Sequence, residues 1–80
     1  MKFYLLTIEQ THDENKNLVE YGKSTQYGTE KSATSAFYDK CAAVNKDLNP
    51  ETAHTYMDIK IMNSEGGIIK KDTLGKYVEA

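Results

Sequence analysis

The chain has no arginine and no tryptophan, and only one cysteine and one proline in 80 residues. The missing arginine bears on nucleic acid. Domains that read duplex DNA present a basic patch and use arginine for bidentate contacts to guanine and phosphate. Here all ten basic residues are lysines, set against 12 acids with an even spread along the chain, so there is no basic arm or acidic tail. Duplex DNA is therefore not an expected partner. The lone thiol, Cys41, cannot close an internal disulfide. The N-terminal apolar run, residues 3–8, is too short for a signal-peptide core and meets Glu9 at once, so the expected compartment is the cytoplasm. No stretch approaches the roughly 20 apolar residues that a membrane helix needs.

What is present describes a single small domain over residues 1–80. A chain of this size buries only about 60% of the surface its unfolded form exposes, so a dimer or a partner would add to a small core.

Residues 2–10 are rich in β-branched and aromatic types and read as a strand. The polar run 11–17 holds two asparagines able to take positive φ and suits a hairpin loop. Residues 18–27 alternate, with Val19, Tyr21, Thr25 and Tyr27 on one face and Lys23 the misfit on that side, so a second, half-buried strand is expected. After Gly28 the period changes. Thr29 is a candidate N-cap, and Ala33, Ala36, Phe37, Cys41, Val44 and Leu48 recur at helical spacing until Asn49 and Pro50 stop the helix. Residues 52–63 read as a third strand, with Met57, Ile59 and Ile61 inward and Tyr56, Asp58, Lys60 and Met62 outward. The turn at 63–67 carries Gly66 and Gly67, which supply positive φ. A fourth strand follows from residue 68 to about 79, kinked at Gly75. The expected fold is α+β: ββαββ, a four-stranded, mostly antiparallel sheet with one helix packed on one face.

One helix, about 10 Å wide, leaves part of a four-stranded sheet uncovered. The first strand is apolar on both sides: Phe3 and Leu5 point one way, and Tyr4, Leu6 and Ile8 the other. Only one side can meet the helix. The other is the expected interface, made by Tyr4, Leu6 and Ile8 with Tyr56 and Met62, and it serves a second copy of the chain or a foreign protein. The competing structural reading is that loops, tyrosines or sheet curvature cover this face.

Chemistry-bearing residues are sparse. His12 beside Asp13 and Glu14 does not converge on a metal as an i, i+4 pair on a helix does. His54, just past the proline, reads as solvent-exposed or locally hydrogen-bonded. Cys41 lies on the apolar helix stripe, where a free cysteine acts as a small hydrophobe. There is no H-E-x-x-H, C-x-x-C, G-x-S-x-G or phosphate-cradling glycine loop. No cofactor, metal or enzymatic activity is expected. Tyr56 and Lys60, with Lys70 and Lys76, form a candidate base-stacking platform for single-stranded nucleic acid, weakened by Asp58 and Asp72.

The segments S-A-T-S-A-F-Y (32–38) and M-N-S-E-G-G-I-I-K-K (62–71), with the Y-V-E ending, resemble short uncharacterised proteins of Gram-positive bacteria and their phages or mobile elements. The resemblance implies an accessory protein that binds another protein, such as an inhibitor of a host defence enzyme, and it carries no site residues with it.

Overall fold

In the computed structural model, which describes residues 2–49 and 51–79, the chain opens with an antiparallel hairpin of β1 (Phe3–His12) and β2 (Leu18–Tyr27). Helix α1 (Glu30–Asp47) follows, then a second hairpin of β3 (His54–Asn63) and β4 (Ile68–Gly75). The sheet order is β2-β1-β3-β4, with every neighbouring pair antiparallel. The expected ββαββ fold is the observed one.

Both hairpin loops are built by one device. Asp13 Oδ1 accepts from the backbone N–H groups of Asn15 (2.8 Å) and Asn17 (2.9 Å), and Asn63 Oδ1 accepts from Glu65 (3.0 Å) and Gly67 (2.8 Å). A short side chain that satisfies two alternate loop amides, two and four residues on, closes the turn without help from the core. Each loop places its fourth residue in the left-handed region. In the second loop this is Gly66 (φ 87°), as expected; in the first it is Lys16 (φ 64°) rather than an asparagine. The reason is register. β1 and β2 stay paired out to His12 and Leu18, two residues beyond the expected strand end, so the loop shrinks to five residues and its left-handed position falls on the lysine.

Helix α1 is capped by Thr29, whose hydroxyl oxygen accepts from the Ser32 N–H at 3.1 Å. Its apolar stripe buries Ala33, Phe37 and Val44 against Leu5 of β1 and Met57, Ile59 and Ile61 of β3. Cys41, Ala36 and Leu48 pack at the margin. Burial and the nearby Asp72 push the Cys41 thiol up, which fits a packing role over a nucleophilic one. The helix ends at Asp47, with Leu48 already extended, slightly before the expected stop; Pro50 lies outside the described residues. β3 starts at His54, not at 52, because Asn49 and Ala53 first close a loop through two backbone bonds (Asn49 N–H to His54 O 3.0 Å, Ala53 N–H to Asn49 O 3.2 Å).

β4 departs most from expectation. It stops at Gly75 (φ 73°), and residues 76–79 leave the sheet edge and cross the face opposite the helix. A Cβ at position 75 would overlap the Thr55 carbonyl oxygen and crowd Leu48 Cδ2 at 2.9 Å. Only glycine lets the chain turn there.

Candidate docking face

The side chains sort by register. On β1 the odd positions Phe3, Leu5, Thr7 and Glu9 look toward the helix, and the even positions Tyr4, Leu6, Ile8 and Gln10 look away. Cross-strand pairing carries this through the sheet. Tyr4 stands between Gln26 and Met62, Leu6 between Ser24 and Lys60, Ile8 between Gly22 and Asp58, and Gln10 between Glu20 and Tyr56. Ile68, opposite Met62, extends the first row.

The open face therefore has two ends. At one end Tyr4, Leu6, Ile8, Met62 and Ile68 form an apolar stripe, with Ile8 48% and Ile68 53% exposed. Between them lies an open depression of about 540 Å³, lined by Leu6, Ile8, Gly22, Lys60 and Met62 among others. Gly22, with no side chain, makes the hollow, and its cross-strand partner Ile8 makes the neighbouring ridge. At the other end the crossing segment covers the sheet. The Tyr77 ring meets Tyr56 edge to face, centroids 5.2 Å apart, and Val78 is fixed to Gln10. Of the five expected interface residues, Tyr4, Leu6, Ile8 and Met62 share the open stripe, whereas Tyr56 is set apart beneath Tyr77. Burial, with Asp58 and Glu20 nearby, raises the Tyr56 phenol pKa.

The proposed base-stacking platform does not assemble. Lys60 and Tyr56 face outward, but Lys70 pairs with Ile61 and lies on the helix side, its Nζ 5.2 Å from the Tyr38 ring centroid and 5.9 Å from that of Phe37.

A second polar cluster sits on the helix side, where sequence reading expected nothing. Glu9 is fully buried. Its Oε1 meets Lys40 Nζ at 3.0 Å and His54 Nε2 at 3.1 Å, and its Oε2 accepts from the Thr7 hydroxyl at 3.1 Å. His54 Nδ1 in turn lies 2.9 Å from Asp47 Oδ2. A carboxylate oxygen thus faces each ring nitrogen of His54. Burial alone would raise the Glu9 pKa. Lys40, His54 and Thr7 outweigh it, and the carboxyl titrates below its ordinary value. Burial and Glu9 together raise the Tyr21 phenol. The cluster ties β1 and β3 to the C-terminal half of α1. His54, expected to be solvent-exposed or locally hydrogen-bonded, is instead half-buried and bonded to two acids from other elements, Glu9 of β1 and Asp47 of α1. The signal was present in the sequence: Glu9 occupies a core-facing position of an alternating strand, which demands a buried cation.

Among the described residues no group of His, Cys, Asp and Glu is arranged to hold a metal ion. His12 Nδ1 instead lies 3.3 Å from the Ala53 carbonyl oxygen. No described helix is long and apolar enough to cross a membrane. Compared with known proteins, the chain matches no family model, no curated protein and no solved structure. Its function must therefore be argued from its own surface.

Proposed function

We propose that the chain is a small protein-docking module that pairs with a second copy of itself through the sheet face opposite the helix. The observation that carries this reading is the contiguous apolar stripe Tyr4, Leu6, Ile8, Met62 and Ile68 on the sheet face that the helix does not cover, since contiguous exposed apolar patches mark interaction sites.

Three features favour a second copy as the occupant. The stripe is self-complementary, because Ile8 rises beside the Gly22 hollow and a twofold axis can set each ridge into the partner's hollow. Asp58 and Lys60 alternate along β3 on the same face, so two copies can place lysine against aspartate. The area also suffices. Four strands at ~4.8 Å spacing and roughly seven free residues at ~3.3 Å give about 450 Å² of flat surface per protomer. The pair buries about 900 Å² before side-chain relief is counted, which reaches the low end of specific interfaces. An interface of this size belongs with weak, transient associations.

Sedimentation velocity over a dilution series tests this. The wild type should move from dimer to monomer on dilution, and Leu6→Lys should be monomeric throughout with an unchanged circular dichroism spectrum. A wild type that stays monomeric to millimolar concentration contradicts self-pairing and leaves the face to a foreign protein.

A further inference from the structure

We propose that the Gln10 end of the open face is a port for extended peptide backbone, which residues 76–79 fill in cis and which takes in trans a partner protein's segment carrying an aromatic residue followed by a β-branched one. This reading does not depend on self-pairing, because it rests on the covered end of the sheet.

Gln10 is 2% exposed although it sits on the open face. Its amide is saturated from every side. Nε2 donates to the Val78 carbonyl (2.8 Å) and faces Glu20 Oε1 (3.4 Å); Oε1 accepts from the Val78 N–H (2.9 Å) and the Thr55 hydroxyl (3.2 Å). The Thr55 and Glu20 contacts hold the side-chain amide in one orientation, oxygen toward one donor and nitrogen toward one acceptor. What remains is a donor and an acceptor spaced to pair with the C=O and N–H of a single residue, the pattern that a neighbouring strand presents. The pairing reads main chain, so any extended residue with a free N–H satisfies it. Selection comes from the adjacent Tyr56 ring, which meets Tyr77 edge to face, and from the nearby Glu20 carboxylate, which raises the Tyr77 phenol pKa.

The cis occupant is lightly held. Tyr77 is 46% and Val78 37% exposed, and the segment forms no ladder with the sheet. Beyond the Lys76 N–H bond to the Thr55 carbonyl oxygen (2.8 Å) at its root, one amide pair and one ring contact offset the ordering of the residues that follow, and this outer stretch is the part that exchanges. Lifting it opens the Gln10 donor and acceptor to water or to the main chain of another segment. Strand addition to a sheet by main-chain pairing with side-chain pockets alongside is an established mode of peptide capture. Here the sheet face, rather than its edge, provides it.

The test uses the full-length chain and a fluorescein-labelled, end-blocked peptide Lys-Tyr-Val-Glu, followed by anisotropy. Tyr77→Ala releases the cis segment and should bind the peptide about tenfold more tightly than the wild type. In the Tyr77→Ala background, Gln10→Glu keeps the shape and loses the Nε2 donors, and should weaken binding at least about tenfold. A peptide with proline in place of valine lacks the N–H that Gln10 Oε1 accepts and should not bind. Circular dichroism confirms that each variant is folded, and if Gln10→Glu unfolds the chain the proline peptide supplies the same comparison. Equal binding by the wild type and Tyr77→Ala overturns the proposal. So does equal binding of the valine and proline peptides, or a Tyr77-dependent dimer that takes up no peptide and so marks the segment as exchanged between copies.

Discussion

Replacing Glu9 by Gln removes one charge from the helix-side cluster and almost no volume. The glutamine Oε1 still accepts from Lys40 and faces His54, and its NH₂ group donates to the Thr7 hydroxyl, which rotates to accept, so what is lost is the charge that strengthens these contacts. A hydrogen bond to a charged group is worth about 1.5–3 kcal/mol. Lys40 is about one-third exposed and can turn to water, which keeps the loss near the lower end, at about 2 kcal/mol. A domain of this length has a total stability of about 4–12 kcal/mol, and a loss of this size lowers its Tm by about 10 °C. The pH dependence identifies the cause. Because Glu9 titrates below its ordinary value when folded, its contribution is complete above the unfolded carboxylate value of about 4.3 and disappears as pH falls through the lower folded value. Urea denaturation at pH 6 should therefore separate the wild type from Glu9→Gln by about 2 kcal/mol, and the gap should close toward pH 2.5. A variant as stable as the wild type at pH 6, or a gap that does not change with pH, would refute the assignment of Glu9 as an ionised anchor.

Other perturbations test the backbone. Gly75→Ala places a Cβ against the Thr55 carbonyl at positive φ and should cost about 3 kcal/mol by chemical denaturation, with loss of the Tyr56–Tyr77 contact visible in the aromatic NMR region. Lys16→Gly relieves a left-handed lysine and should raise stability by up to about 1 kcal/mol in a thermal melt. Thr29→Ala removes the acceptor of the Ser32 N–H and should cost about 1 kcal/mol.

Much of the fold was legible because alternation and helical spacing are local properties. Val19, Tyr21 and Tyr27 on one side of β2, and Ala33, Phe37 and Val44 on one side of α1, could be placed from period alone. The two-sided first strand likewise separated Leu5 from Leu6 correctly, and with it the two faces of the sheet. Long-range partners were not legible. Lys70 faces the helix because the register shifts between Ile61 and Met62, which reverses the side that a β4 residue faces and cannot be placed from alternation alone. The crossing segment 76–79 looked like more strand, since Tyr77 and Val78 have strand propensity; Gly75 signalled a kink but not its direction, which depends on the Thr55 carbonyl and the Gln10 amide. Tyr56 was placed on the correct face, but its cover comes from a residue 21 positions further along the chain. His54 acquires its acids from β1 and the end of α1, 45 and seven positions away, and neither pairing follows from its neighbours.

The central claim is that the stripe Tyr4, Leu6, Ile8, Met62 and Ile68 is the contact surface between copies. The most direct measurement is a dilution series of ¹⁵N–¹H correlation spectra from millimolar to low micromolar concentration. Self-pairing through this face predicts that amide signals of Tyr4, Leu6, Ile8, Gly22, Lys60 and Met62 shift with concentration, while those of Lys31, Ser35 and Asp39 on the outer side of α1 stay fixed. Spectra that do not change with concentration, or shifts confined to the helix, would contradict it.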